Sequence, residues 1–394
     1  MKKLLFLCVI IANVATAQVK NGEKVPNIEF KQILNTKIKS ASLNQLKGKI
    51  VLIEYWATWC SPCVSAMPHL QELQKKFKNE LQIVTVSRET DKRIKLFLKT
   101  MPSNLWFAID NGTKLDSLFP HRTIPHSVLI DADGTLIAVT SPDQITAEVI
   151  TKLIKKEKVN LMPKVDNLSK DFVKDYFFAA DTVKSRLIIQ PEIKGGPGML
   201  RKHLSDPVFA GRRLTMVNIP LEAMYRVAYG DLAYGRTIDE TGKSKENKKE
   251  MLCLDLITPT PEELLPTLRK ELLKRFELQA KIKYVVKPVY VLKLADKHKV
   301  DALSKSDKSS NGNYGGGSGT FSGDGVVFAD LADYLESFAI VNRPVVDETG
   351  IKTNFNIQLV YQAENPATLT KALNDIGLKL EEAERSISML VLYK

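Results

Sequence analysis

The chain has 394 residues, a hydrophobic content of 44% and a formal net charge of +12. That length is too great for one ordinary domain and sets an expectation of two, while the apolar content excludes wholesale disorder. Four cysteines are too few for a disulfide-stapled mini-fold, and the positive charge raises nucleic acid or a membrane surface as partners to be weighed against the motifs.

Lys2 and Lys3, the apolar stretch that follows, and Ala15-Thr16-Ala17 read as an export signal cleaved after Ala17, so residues 1–17 are a signal peptide. The apolar run is too short for a permanent anchor, and no later segment reaches the roughly 18 apolar residues of a membrane helix. The mature chain is expected in the periplasm or cell envelope with three cysteines, Cys60, Cys63 and Cys253.

Residues 51–55, Val-Leu-Ile-Glu-Tyr, read as a buried strand holding one acid, Glu54. Beyond Cys63, Val64, Met67, Leu70, Leu73 and Phe77 recur at helical spacing. Cys60-Ser61-Pro62-Cys63 therefore sits where a strand ends and a helix begins. The free N–H groups and dipole of a helix N-terminus stabilise an anion, which shifts the first thiol toward thiolate. Two intervening residues bring the sulfurs within disulfide reach. A CxxC can also be half a zinc site, but His69, His121 and His126 supply no paired ligand motif. Strands at 81–87, 105–110, 127–131 and 136–140 alternate with helices at 92–100 and 113–119. A hairpin turn falls at Asp133-Gly134, and a basic amphipathic helix at 145–158 closes the region.

WATWCSPC, the acid upstream of it and the TIPHSVLIDADG segment resemble the thioredoxin superfamily. The extended front, 22–49, and the added helix and strand between Glu89 and Phe119 are similar to its exported TlpA/ResA-like branch. The resemblance covers nearly all of 20–158 and implies an α/β thioredoxin fold, a mixed central sheet flanked by helices, in a domain of residues 18–158. It implies thiol–disulfide exchange, with Cys60 as the exposed attacking nucleophile and Cys63 as the resolving thiol. Glu54, six residues before Cys60, matches a buried acid of raised pKa that shuttles the proton of Cys63. Pro125 matches a cis-proline whose loop, with Ile124, aligns the substrate backbone, and Trp59 shields the disulfide and forms part of the docking surface. His126 replaces the usual small polar residue and takes no catalytic role. No cofactor is implied beyond the Cys60–Cys63 disulfide. The implied partners are exported protein thiols and disulfides and a membrane or periplasmic thiol electron donor. Ser61-Pro62 lacks the His that strongly oxidising sites often carry between their cysteines, and the resemblance implies reduction as the direction. The dithiol argues against a thiol peroxidase, and the rival from another class is an envelope scaffold without turnover. No nucleic-acid partner is expected. The charge excess falls mainly on residues 18–158, with 21 basic and 14 acidic residues, and reads as solvated helix faces.

Residues 159–182 read as a linker followed by a helix at 171–183. Beyond them an α+β domain, 183–394, carries an internal repeat. In one copy a strand at 251–256, a helix at 261–276 and strands at 278–286 and 289–294 give βαββ. In the other, a strand at 355–360, a helix at 366–376 and strands at 378–383 and 386–393 repeat the order. A strand and helix precede each copy. The stretches 239–250 and 300–320 read as mobile insertions. LLKRFELQAKIKYVVKPVYVLKLA and RPVVDETGIKTNFNIQL resemble a domain of unknown function found in exported bacterial proteins. The likeness implies no activity, and a protein-binding role with an envelope partner is the expectation. His203 and His298 read as isolated surface residues, and Cys253 as a buried structural thiol.

Overall fold

The computed structural model describes residues 18–110, 114–242, 250–308, 314–316, 319–338, 340–362 and 365–394. The expected signal peptide lies outside these residues, as do most of the charged insertion and parts of the Ser/Gly-rich one. The chain divides into two compact units, one ending at Leu168 and the other spanning Ser169–Lys394. Residues 159–168, expected as linker, therefore belong to the first unit. Among the described residues no helix is long and apolar enough to cross a membrane.

The first unit opens with β1 (Glu29–Phe30), β2 (Ile33–Leu34) and β3 (Ala41–Ser42). Its main strands are β4 (Ile50–Tyr55), β5 (Leu81–Ser87), β6 (Trp106–Ile109), β7 (His126–Ile130) and β8 (Leu136–Thr140). Helices α1 (Ser61–Lys76), α2 (Asp91–Thr100), α3 (Lys114–Leu118) and α4 (Ala147–Ile154) fall between and after them. The six-stranded sheet has the order β2-β6-β5-β4-β7-β8. β4, β5 and β6 run parallel, whereas β2, β7 and β8 pair antiparallel with their neighbours. All six residues of β4 are buried, as expected of a central strand covered on both faces. Leu52 packs with Met67, Leu70 and Leu73 of α1, while Ile53 and Tyr55 join a second core with Val84, Val86 and Val128.

The second unit begins with α5 (Phe172–Tyr176), β9 (Arg186–Pro191) and β10 (Met199–Arg201). A first half follows as β11 (Arg213–Pro220), α6 (Leu221–Ala228), β12 (Thr237–Asp239), β13 (Met251–Ile257), α7 (Leu264–Arg275) and β14 (Gln279–Leu294). After α8 (Lys297–Asp301) and β15 (Tyr314–Gly316) the same order returns. The second half is β16 (Thr320–Val326), α9 (Phe328–Ser337), β17 (Val345–Asp347), β18 (Phe355–Val360), α10 (Pro366–Asp375) and β19 (Leu378–Tyr393). The unit is thus α+β with an internal repeat. β11 pairs antiparallel with β13 and β16 with β18, each pair carrying a register shift.

Each expected ββ pair at the end of a copy is instead one 16-residue strand, and β14 and β19 pair along their whole length, Gln279 with Tyr393 through Leu294 with Leu378. Pro288 does not break β14, because β17 joins its other edge only from Tyr290 onward and a proline is tolerated on an unpaired edge. The middle of this ribbon is largely exposed, so the apolar alternation that marks a strand fades there. β12 pairs with β19 and β17 with β14, so each half's short strand joins the other half's long one. Leu390 and Leu392 of β19 sit in the first half's core, and Leu292 of β14 in the second's. The helix expected at 171–183 stops at Tyr176. The carbonyls of Phe177 and Phe178 accept from the guanidinium groups of Arg186 and Arg213 instead of continuing a helical ladder.

Candidate active site

β4 delivers the chain to Tyr55, and a short turn hands it to α1. Cys60 is the N-cap of α1 and Pro62 lies in its first turn, where a missing N–H costs nothing. Cys60 and Cys63 form a disulfide with Cα atoms 5.3 Å apart. The Cys63 N–H points at Cys60 Sγ, 3.3 Å away. An amide aimed at sulfur from a helix N-terminus is the arrangement that stabilises a thiolate. The expected exposure of Cys60 is corrected, since it is only 4% exposed and Cys63 2%. The capping geometry folds Cys60 over the first turn, into a cluster with Trp56, Ala57 and Met67.

Alternation along β4 puts Glu54 on the same face as Leu52, the face that α1 covers. Glu54 is buried. Its Oε2 accepts the hydroxyl of Ser127, its cross-strand partner, while Oε1 is buried with no hydrogen-bond partner. Burial pushes the carboxyl up to about 8, against the opposing effects of the Ser127 hydrogen bond, the Lys164 cation and the His126 backbone N–H. A carboxyl in this state holds its proton at neutral pH and can give or take one on the α1 side of the sheet.

The Ile124–Pro125 peptide is cis, and Pro125 leads directly into β7, where His126 pairs with Tyr55. A cleft of about 340 Å³ opens against Tyr55, Trp59 and Ile124, with Arg88 and Asp116 on its wall. Trp59 is 61% exposed, so its indole is available to a docking chain. Arg88 and Asp116 pair with each other.

Several site-lining residues carry no local sequence signal. Glu89 accepts from the Thr58 N–H at 2.6 Å and from its hydroxyl at 2.8 Å, and Arg93 Nε donates to the same hydroxyl. The turn before Cys60 is thereby pinned. His121 and His126 stack at 4.5 Å and both approach the Tyr55 ring. Burial pushes each imidazole below its ordinary pKa, in His126 against the pull of Asp166. Asp166 and Lys164, from the segment expected as linker, reach the same region. Burial pushes Asp166 up, but His126, Lys164 and the Arg122 N–H outweigh it and hold the carboxyl well below the usual range.

In the second unit His203 is buried, which corrects the surface reading. Its Nε2 lies 2.9 Å from Thr215 Oγ1, and burial with the nearby Arg213 pushes it down to about 4. His298 is exposed. Cys253 is a free, fully buried thiol that exchanges contacts with Asn218, donating to Oδ1 at 3.2 Å and accepting from the N–H at 3.3 Å. Among the described residues no group of three or more His, Cys, Asp or Glu could hold a metal ion.

A thioredoxin fold that retains both cysteines at the start of α1 defines a dithiol oxidoreductase, and comparison with known proteins gives the branch. Residues 21–139 match the AhpC/TSA family and residues 238–394 match a protein family of unknown function, DUF3738. The thiol-disulfide oxidoreductase ResA of Bacillus thuringiensis subsp. konkukian is 34% identical over 137 residues, 34% of this chain and 77% of its own. ResA of Bacillus cereus is 36% identical over 118 residues, 29% of this chain and 66% of its own. The solved thioredoxin domain of a thiol-disulfide oxidoreductase from Bacteroides vulgatus is 25% identical, with 35% of this chain and 98% of that one covered and a TM-score of 0.30. Through its first unit the chain belongs to the AhpC/TSA thioredoxin-like family and is a thiol–disulfide oxidoreductase of the ResA kind. The DUF3738 match leaves residues 183–237 outside it.

Proposed function

We propose that the chain is an exported reductase of protein disulfides, with Cys60 as nucleophile, Cys63 as resolving thiol and Glu54 as the proton carrier between them and solvent. The observation that carries this reading is the Cys63 N–H aimed at Cys60 Sγ from the first turn of α1. In the reduced enzyme Cys60 thiolate attacks one sulfur of a substrate disulfide. The substrate S–S bond breaks, a Cys60–substrate mixed disulfide forms, and the other substrate sulfur leaves as a thiolate that takes up a proton. Once Glu54 has released its own proton to solvent it accepts the Cys63 proton, and the Cys63 thiolate attacks Cys60 Sγ. The mixed disulfide breaks, the second substrate thiolate leaves, and the Cys60–Cys63 disulfide is restored. Two electrons pass to the substrate, and a dithiol donor in the envelope returns them by the reverse exchange.

Ile124, Pro125 and Trp59 form the docking surface in this reading, supported by the cleft that Trp59 and Ile124 line and by the exposed indole beside it. Export rests on the leader pattern of residues 1–17, and mass spectrometry of the purified mature protein is expected to find Gln18 as its first residue. The second unit is a protein-binding module for an envelope partner in this reading. Its support is the exposed middle of the β14–β19 ribbon, where Tyr284 and Val286 stand open to solvent. Insulin reduction with dithiothreitol tests the activity. Wild type should accelerate it, and Cys60→Ser and Cys63→Ser should not; equal rates in all three would remove the enzyme reading. A reduction potential near −120 mV, typical of a strong oxidant, would remove the reductase direction.

A further inference from the structure

Residues 162–167 lie against β8 and the loop before β7. Thr140 Oγ1 donates to the Met162 carbonyl at 2.6 Å, and the Lys164 N–H to the Val139 carbonyl at 3.0 Å. From there two side chains turn onto the loop. Lys164 Nζ donates to the Thr123 carbonyl at 2.9 Å and pairs with Asp166. Asp166 Oδ1 accepts the N–H of Arg122, the N–H of Thr123 and the Thr123 hydroxyl, each at 3.1 Å. Asp166 Oδ2 lies 3.6 Å from His126 Nδ1. The Asn167 carbonyl accepts from Arg122 Nε at 2.9 Å. Asp166 and Lys164 are little exposed, at 5% and 15% of their side chains.

The contacts therefore fall on Arg122, Thr123 and His126, on both sides of the cis Ile124–Pro125 bond. A peptide-binding loop gains affinity when its bound shape is held in advance. Buried charge-assisted hydrogen bonds are among the stronger ways to hold it. We propose that Asp166 and Lys164 are positioning residues for thiol–disulfide exchange, holding Arg122–His126 in the shape in which Ile124 and Pro125 meet a protein substrate beside Cys60. This rests on the reading of the Pro125 loop as the docking element. The two residues act through the loop, so their loss falls on substrate affinity before it falls on the chemical step.

The test is steady-state reduction of insulin by the full chain with dithiothreitol as electron source, beside reduction of oxidised glutathione, a disulfide too small to use an extended docking loop. Asp166→Ala removes the shared acceptor and should raise KM for insulin about tenfold with kcat within about twofold, the size of one lost charge-assisted hydrogen bond. Its KM for glutathione should move less. Asp166→Asn keeps one acceptor oxygen for the Arg122 and Thr123 donors, though its NH2 then faces Lys164, and should bring the insulin KM part of the way back toward wild type. Pro125→Ala reports on the docking reading by itself. If Pro125→Ala raises the insulin KM and Asp166→Ala does not, the positioning role is wrong and the docking loop stands. If neither does, both fall. Equal losses on the two substrates in Asp166→Ala, unrelieved in Asp166→Asn, would mark general damage to the fold and also overturn the proposal.

Discussion

Each unit buries a carboxylate on a central strand, and the two are treated in opposite ways. Asp255 of β13 is fully buried and surrounded by donors: Arg213 Nε at 3.0 Å, Arg186 Nη2 at 2.6 Å and the Thr215 hydroxyl at 2.6 Å. Glu54 of β4 is as deeply placed but receives one hydroxyl and leaves Oε1 without a partner. The cysteines divide likewise. Cys253 exchanges hydrogen bonds with Asn218 inside a core, whereas Cys60 and Cys63 sit at a helix N-terminus able to hold charge. A buried acid with every lone pair answered makes the fold more specific. One left short of partners keeps a proton affinity near neutrality that chemistry can use.

That contrast can be broken by substitution. The largest effect belongs to the cysteines: Cys60→Ser or Cys63→Ser should lower insulin reduction to the uncatalysed rate. Cys63→Ser should also accumulate mixed disulfides with substrate, visible as adducts on non-reducing gels. Next comes Glu54→Gln, expected to slow turnover by about 10²–10⁴-fold, the range for a lost proton carrier; a turnover number within a few-fold of wild type would assign Glu54 to structure, like Asp255. Asp255→Ala strands Arg213 and should cost the second unit about 3–5 kcal/mol, read as an earlier urea transition. A shift of less than about 1 kcal/mol would show the cluster to be as weak as a surface pair.

Smaller and more diagnostic is the pH dependence of stability. The folded pKa of Glu54 is raised from 4.5 to about 8, so the folded state keeps a proton that the unfolded chain releases. Stability should therefore fall as pH rises from about 4.5 to 8, by up to about 1.4 kcal/mol for each unit of pKa difference, and level off above. Glu54→Gln should remove that slope. The smallest change is Cys253→Ala, expected to cost about 1 kcal/mol for the lost hydrogen bonds and small void, measured from the midpoint of the second unit's unfolding.

The legible parts of this protein are those written over a few consecutive residues. The CxxC after an apolar strand and the following helical stripe announce themselves because capping, dipole and periodicity act within one turn, whereas the Ile124-Pro125 pair stands out only through the resemblance to thioredoxins. Glu89, Lys164 and Asp166 announce nothing. Glu89 reaches Thr58, 31 residues away, and Asp166 reaches Thr123, 43 residues away, and neither distance leaves a mark on the residues between. The segment holding Lys164 and Asp166 mixes polar and apolar residues without a helix or strand period and contains a proline, which is also the composition of a linker. The β14–β19 ribbon reads from sequence as four short strands for a related reason. Pro288 and the charged residues Glu384 and Arg385 look like breaks, and only the partner strand makes them interior positions of a ladder.

The amino-acid sequence by itself determined the dithiol, its place at a helix start, the acid six residues upstream and the two-part organisation, because each follows from local chemistry or from composition. Tertiary structure alone decided that Cys60 is covered, that Glu54 Oε1 has no hydrogen-bond partner, that His203 is interior and that residues 162–167 hold the loop before β7. Burial and hydrogen-bond completeness depend on what lies opposite a residue across the core, and that neighbour is chosen by the fold.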